Sequence, residues 1–153
     1  MVFVCDESNA TSATSEIASR LTAEFQNAIE KESCECSVYQ PIDYKVAKDT
    51  ILNPDLLIVC KPITKQFLDF SPELVVEILS PATVLKDRHT KFEIYQQQQI
   101  LYNIIVDIDT KRVKVWQLNE AGKYSQVSID ETKTQLFAFK DCSFSIVFEN
   151  IWS

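Results

Sequence analysis

The chain has 153 residues, 46% hydrophobic and 24% charged, a mix that suits one ordinary globular core and excludes disordered, collagenous and coiled-coil chains. Fifteen Lys and Arg against 22 Asp and Glu leave a net charge of −7, the wrong overall sign for a protein that coats nucleic acid. A single glycine, Gly122, and a single histidine, His89, exclude glycine-rich phosphate loops and histidine-rich metal sites.

No apolar run approaches the roughly 18 residues of a membrane helix, and Met1 to Cys5 is too short for the apolar stretch of a signal peptide. A soluble, cytoplasmic protein with no membrane partner is therefore expected. Cys5, Cys34, Cys36, Cys60 and Cys142 are odd in number and contain no C-x-x-C pair, so reduced, buried thiols are expected rather than a disulfide framework or a zinc site. Charge is uneven along the chain. Residues 1–83 carry −7, residues 84–123 carry +2 and residues 124–153 carry −2, so only the middle segment is suited to a phosphate.

No linker or repeat divides the sequence, which predicts one domain over 1–153. From Ser15 to Lys31, Ile17, Leu21, Phe25 and Ala28 recur at helical spacing behind a Ser/Thr-rich lead, which predicts an amphipathic helix. Weak strand signals at Cys36–Tyr39 and Tyr44–Ala47 precede two strong ones, Asp55–Cys60 and Leu74–Leu79. Pro54 and Pro72 introduce these nearly continuous apolar runs, the pattern of strands covered on both faces. A second helix is predicted over Val84–Gln98, with Leu85, Phe92 and Tyr95 as its apolar stripe. Asn103–Ile108 returns as a buried strand. Strand, crossover helix and strand make a right-handed parallel pair. Arg112–Leu118, Tyr124–Ile129, Gln135–Phe139 and Phe144–Phe148 alternate polar and apolar residues, as antiparallel strands with a solvated face do.

Glu77 interrupts the apolar run Val75-Val76-Glu77-Ile78-Leu79. Burying its carboxylate costs several kcal/mol of solvation, of order 2–7 kcal/mol even for a neutral polar group, unless a cation or donors meet it. Asp55 opens the preceding buried strand, and neighbouring strands can bring the two carboxylates to one end of a sheet. Such a pair suits Mg²⁺ or Mn²⁺, because magnesium prefers oxygen ligands and is commonly held by one or two carboxylates with substrate phosphates and water. Asp87, Lys91 and Tyr95 follow at i, i+4, i+8 on one side of the second helix, so Lys91 can orient a water or neutralise phosphate charge at the border of the core.

Simpler readings stand beside these. Asp55 can merely begin a strand, and Glu77 can belong to a structural ion pair with an arginine. Asp87 and Lys91 can form a surface helix pair of about 0.3–0.5 kcal/mol, in which case Lys91 is dispensable for folding. Trp116 and Trp152 read as packing residues. In a purely structural reading, Phe137, Phe139, Phe144, Phe148 and Trp152 extend a sheet between two copies.

Pro54-Asp55 with its buried strand, then Pro72-Glu73-Leu74-Val75-Val76-Glu77-Ile78-Leu79-Ser80-Pro81, then Asp87-x-x-x-Lys91-x-x-x-Tyr95 resembles the Uma-two family of restriction-endonuclease-like proteins. The resemblance runs from about Tyr39 to Trp116 and more loosely to the C-terminus. It implies the PD-(D/E)-x-K nuclease fold: an α/β architecture with a mixed central β-sheet flanked by helices, core order αβββαβ, here with extra antiparallel C-terminal strands. It further implies metal-dependent hydrolysis of phosphodiester bonds in DNA, with Asp55 and Glu77 as metal ligands and Lys91 as the catalytic cation. The superfamily lysine usually stands two residues after the acid. Leu79 is there in this chain, so the role passes to Lys91. Glu24 and Glu16 are candidates for a further carboxylate from the first helix, and Tyr95 for a supporting role. A homodimer would suit double-strand cleavage, since a two-fold axis relates two antiparallel strands. The alternative is an inactive nuclease-like fold that serves as a binding or oligomerisation module.

Overall fold

The computed structural model describes residues 3–4, 12–80, 85–129 and 131–152; for residues 3, 4 and 85–87 only the backbone is considered. Eleven strands and two α-helices occur in the order β1 (Phe3–Val4), α1 (Ser12–Lys31), β2 (Ser37–Tyr39), β3 (Tyr44–Ala47), β4 (Thr50–Leu52), β5 (Leu56–Val59), β6 (Leu74–Leu79), α2 (Leu85–Gln97), β7 (Tyr102–Asp107), β8 (Arg112–Leu118), β9 (Tyr124–Val127), β10 (Thr134–Ala138) and β11 (Ser143–Val147), with a 3₁₀ turn at Phe148–Ile151.

A six-stranded sheet in the order β2-β5-β6-β7-β8-β9 forms the centre. Its β6–β7 pair is parallel, with Glu77 opposite Ile105, and all its other pairings are antiparallel. The helix α2 makes the expected crossover between β6 and β7. Read through this sheet, the order α1, β2, β5, β6, α2, β7 is the expected αβββαβ core. The β3–β4 hairpin is an insertion, and β4 also pairs in parallel with β1. Neither β1 nor β4 was foreseen, because two- and three-residue strands carry too little pattern. Of the extra C-terminal strands, β8 and β9 extend the central sheet, whereas β10 and β11 form a separate hairpin sheet. The single glycine, Gly122 at φ +74°, lies in the turn joining β8 to β9, where the left-handed conformation is free of steric cost only for glycine.

Each sheet face has its own apolar core. On one face, Ile17, Leu21 and Phe25 of α1 pack with Val76, Ile104, Phe137 and Phe144. On the other, Tyr95 of α2 packs with Leu57, Val75, Leu68 and Ile100. The C-terminal phenylalanines therefore lie inside the molecule: Phe137 and Phe144 meet Phe25 edge-on with centroids 5.9 and 6.1 Å apart. Their rings thus belong to the core of a single chain, and burying each contributes about 1.5–3 kcal/mol.

The cysteines also require a correction. Cys34 is joined to Cys142 and Cys36 to Cys60, so four of the five thiols are paired; Cys5 lies outside the described residues. Spacing along the chain gave no sign of this. Cys36 and Cys60 flank the β2–β5 pairing, next to Ser37 and Val59, and Cys34 follows α1 where the β10–β11 turn brings in Cys142. No helix among the described residues is long and apolar enough to cross a membrane.

Candidate active site

The antiparallel register that places Leu56 opposite Val76 and Leu57 opposite Val75, carried one residue further, sets Asp55 beside Glu77. Side chains alternate along a strand. Val76 and Ile78 belong to the α1 face and Val75 to the α2 face, so Glu77 projects on the α2 side. Leu57 and Val59 also face α2, which puts Asp55 on that side too. Asp55 Oδ2 accepts the Ile78 N–H at 2.7 Å. The carboxylate thus takes the amide of β6 just before β5 begins at Leu56, where a ladder partner would otherwise be lacking.

Glu77 finds its partners on α2. Lys91 Nζ donates to Oε1 at 2.9 Å, and Tyr95 OH donates to Oε2 at 2.9 Å. The ion pair is sheltered, with the Lys91 and Glu77 side chains 11% and 13% exposed. A carboxylate inside an otherwise apolar strand is tolerable here because a charge and a hydroxyl meet it. The spacing of Lys91 and Tyr95, one helical turn apart, lets one carboxylate receive both. These contacts overturn the expectation that Lys91 is dispensable for folding. The cation belongs to a buried pair with Glu77, and the Asp87 side chain lies outside the described residues.

The first-helix candidates do not join this cluster. α1 covers the opposite face of the sheet; Glu16 is exposed and paired with Arg20, and Glu24 stands half-buried on the same helix. Among the described residues no group of three or more His, Cys, Asp or Glu gathers. Two carboxylates remain, and that donor set fits Mg²⁺ or Mn²⁺ bound in the manner of sites completed by substrate oxygens and water. A carboxylate offers about four lone-pair sites, so donors from α2 and a cation can share Glu77.

Sequence reasoning passed over Arg88. It stands one helical turn before Lys91, and its Nε is buried with no hydrogen-bond partner among the described residues. The i, i+3, i+7 spacing of Arg88, Lys91 and Tyr95 was the signal available for it.

The mixed sheet, the crossover helix and a carboxylate pair met by a helix lysine define a nuclease-like α/β protein. The chain belongs to the family described as "Uma2: Putative restriction endonuclease", whose model matches residues 5–145. It is 29% identical over 112 residues to the uncharacterized protein slr1290 of Synechocystis sp.; the match covers 71% of this chain and only 58% of that relative's length. A crystal structure titled as a putative nuclease belonging to DUF820, from Anabaena variabilis ATCC 29413, superimposes with a TM-score of 0.74 at 14% identity, covering 94% of this chain and 82% of that one. At that identity the likeness establishes the fold.

Proposed function

We propose that the protein is a metal-dependent endonuclease that hydrolyses phosphodiester bonds in DNA, with Asp55 and Glu77 as the ligands of Mg²⁺ or Mn²⁺. The observation that carries this reading is the meeting of Asp55, Glu77 and Lys91 at one end of the sheet, from two neighbouring strands and the crossover helix. A divalent ion held there supplies Lewis acidity toward a phosphoryl oxygen. Lys91 contributes a positive charge to the reacting phosphate or holds the attacking water. Tyr95 keeps Glu77 in one orientation, and Arg88 adds a second cation from the same helix. Catalysis by such a site is mostly positioning and charge neutralisation.

Two copies related by a two-fold axis would address the two strands of a duplex, so we read the active form as a homodimer, which sedimentation of the purified protein tests. The internal satisfaction of Glu77 by Lys91 and Tyr95 favours a second reading, a nuclease-like fold that binds without turnover. Cleavage of single-stranded, duplex and branched DNA in Mg²⁺ or Mn²⁺ decides between them. The nuclease reading requires cleavage by the wild type that falls by about 10²-fold or more in Asp55→Asn and Glu77→Gln, the scale of one lost transition-state interaction. Absence of cleavage on every substrate leaves the binding module.

A further inference from the structure

Two bridges leave from one tripeptide, Cys34-Glu35-Cys36: Cys34 is joined to Cys142 and Cys36 to Cys60. Cys34 follows the last turn of α1, where its N–H donates to the Ile29 carbonyl at 3.0 Å, and Cys36 leads into β2. Cys60 follows the last residue of β5, whereas Asp55 precedes the first, so the bridges lie at the end of the sheet away from Glu77. All four cysteines are partly exposed and pack against the α1-side core.

Each bridge holds a different join. Cys36–Cys60 ties β2 to β5 beside the register pair Ser37–Val59. Cys34–Cys142 fastens the end of α1 to the turn of the β10–β11 hairpin, where the Phe139 N–H donates to the Cys142 carbonyl at 2.7 Å. That hairpin is a separate two-stranded sheet, and two strands alone are marginally stable, so its place depends on phenylalanine packing and on this bridge. The chain couples the two bridges. Residues two apart have Cα atoms at most about 7 Å from one another, and the backbone bends at Glu35. That span suits Cys34 and Cys36 as partners, since disulfide Cα atoms usually stand roughly 4.4–6.8 Å apart.

We infer that these cysteines form a redox relay in which a single two-electron reduction by a dithiol releases both cross-links. The dithiol attacks the Cys34–Cys142 bond, closes its own disulfide and leaves thiols at Cys34 and Cys142, which have gained its two electrons and two protons. The Cys34 thiolate then attacks Cys36 Sγ. The Cys36–Cys60 bond breaks, and Cys60 departs as a thiolate that takes up the proton Cys34 gave off. The product holds a Cys34–Cys36 disulfide and thiols at Cys60 and Cys142. A bridge between residues two apart constrains little of the chain, so the hairpin turn and the β2–β5 pair are untied together. The relay is independent of the nuclease reading.

The test uses the full chain carrying Cys5→Ser, so that only these four cysteines can be labelled. Cys142→Ser and Cys34→Ser delete the same bridge, which matches their general destabilisation, and circular dichroism confirms that both are folded. They are compared without reductant at about pH 8, where a thiol of ordinary pKa is partly ionised, and mass spectrometry of alkylated peptides locates the free thiol. In Cys142→Ser the Cys34 thiol stands beside the remaining bridge. Cys60 should then be labelled at least about tenfold more than in Cys34→Ser, because a thiol two residues away acts at an effective concentration of about millimolar or above. Equal labelling of Cys60 in both variants, or labelling in neither, overturns the relay. Stepwise reduction of the Cys5→Ser protein by dithiothreitol needs no further substitution. Its species with two free thiols should carry the Cys34–Cys36 disulfide and melt close to the fully reduced protein. A two-thiol species that keeps Cys34–Cys142 or Cys36–Cys60, and melts between the oxidised and fully reduced forms, rejects the relay as well.

Discussion

Lys91 Nζ lies 2.9 Å from Glu77 Oε1, with both side chains about nine-tenths buried, and this pair fastens the crossover helix to the strand it leaves. Removing one partner of such a pair strands the other charge, at a cost of roughly 3–5 kcal/mol. Lys91→Ala should therefore lower both melting temperature and cleavage. Glu77→Gln/Lys91→Met removes both charges. It should recover most of the lost stability while leaving cleavage abolished, and a double-mutant cycle on thermal melts checks this. Additive losses would mean that the pair is not coupled.

Asp55 combines a structural contact with a proposed ligand role, and Asp55→Asn separates them. An asparagine carbonyl can still accept the Ile78 N–H, so the metal-free melting temperature should stay near wild type. Added Mn²⁺ should raise the wild-type melt, by about 2.7 kcal/mol when the metal is at a hundred times its dissociation constant, and leave Asp55→Asn unmoved. An identical response in the two proteins places the metal elsewhere.

Glu73, half-buried at the entry to β6, has its carboxyl pushed above the usual range, first by burial, although the Cys60 N–H donates to it at 3.0 Å. Its folded-state pKa lies above its unfolded one, so the folded protein holds the proton more tightly. The associated stability is present at acid pH and is lost as pH rises through the folded pKa. Glu73→Gln keeps an acceptor for the Cys60 amide without the charge. Its melting temperature relative to wild type should therefore be higher at pH 7 than at pH 4. A difference that does not change with pH would reject the linkage.

The two cysteine pairs close loops of very different length, with sequence separations of 108 for Cys34–Cys142 and 24 for Cys36–Cys60. Loop-closure entropy makes the longer loop the larger contributor, at about 4–5 kcal/mol against about 3 kcal/mol. Thiol counting under denaturing conditions should find four cysteines blocked until a reductant is added. Cys34→Ser/Cys142→Ser should lower the melting temperature more than Cys36→Ser/Cys60→Ser.

Length and periodicity alone determined which stretches form α1, β5, β6, α2 and β7, because burial on one or both faces writes its period into the sequence. Leu74–Leu79 and Arg112–Leu118 were legible to the residue. Glu77 was legible as a site candidate for the same reason, since a charge inside an apolar strand needs a partner. The sequence could not show which group that partner is. Lys91 reaches Glu77 only because α2 folds back over β6, and Asp55 stands beside Glu77 only through the β5–β6 register. The cysteine pairs and the packing of the β10–β11 phenylalanines on Phe25 of α1 arise the same way. They join residues distant along the chain, and no local period records a contact that the packing of separate elements creates.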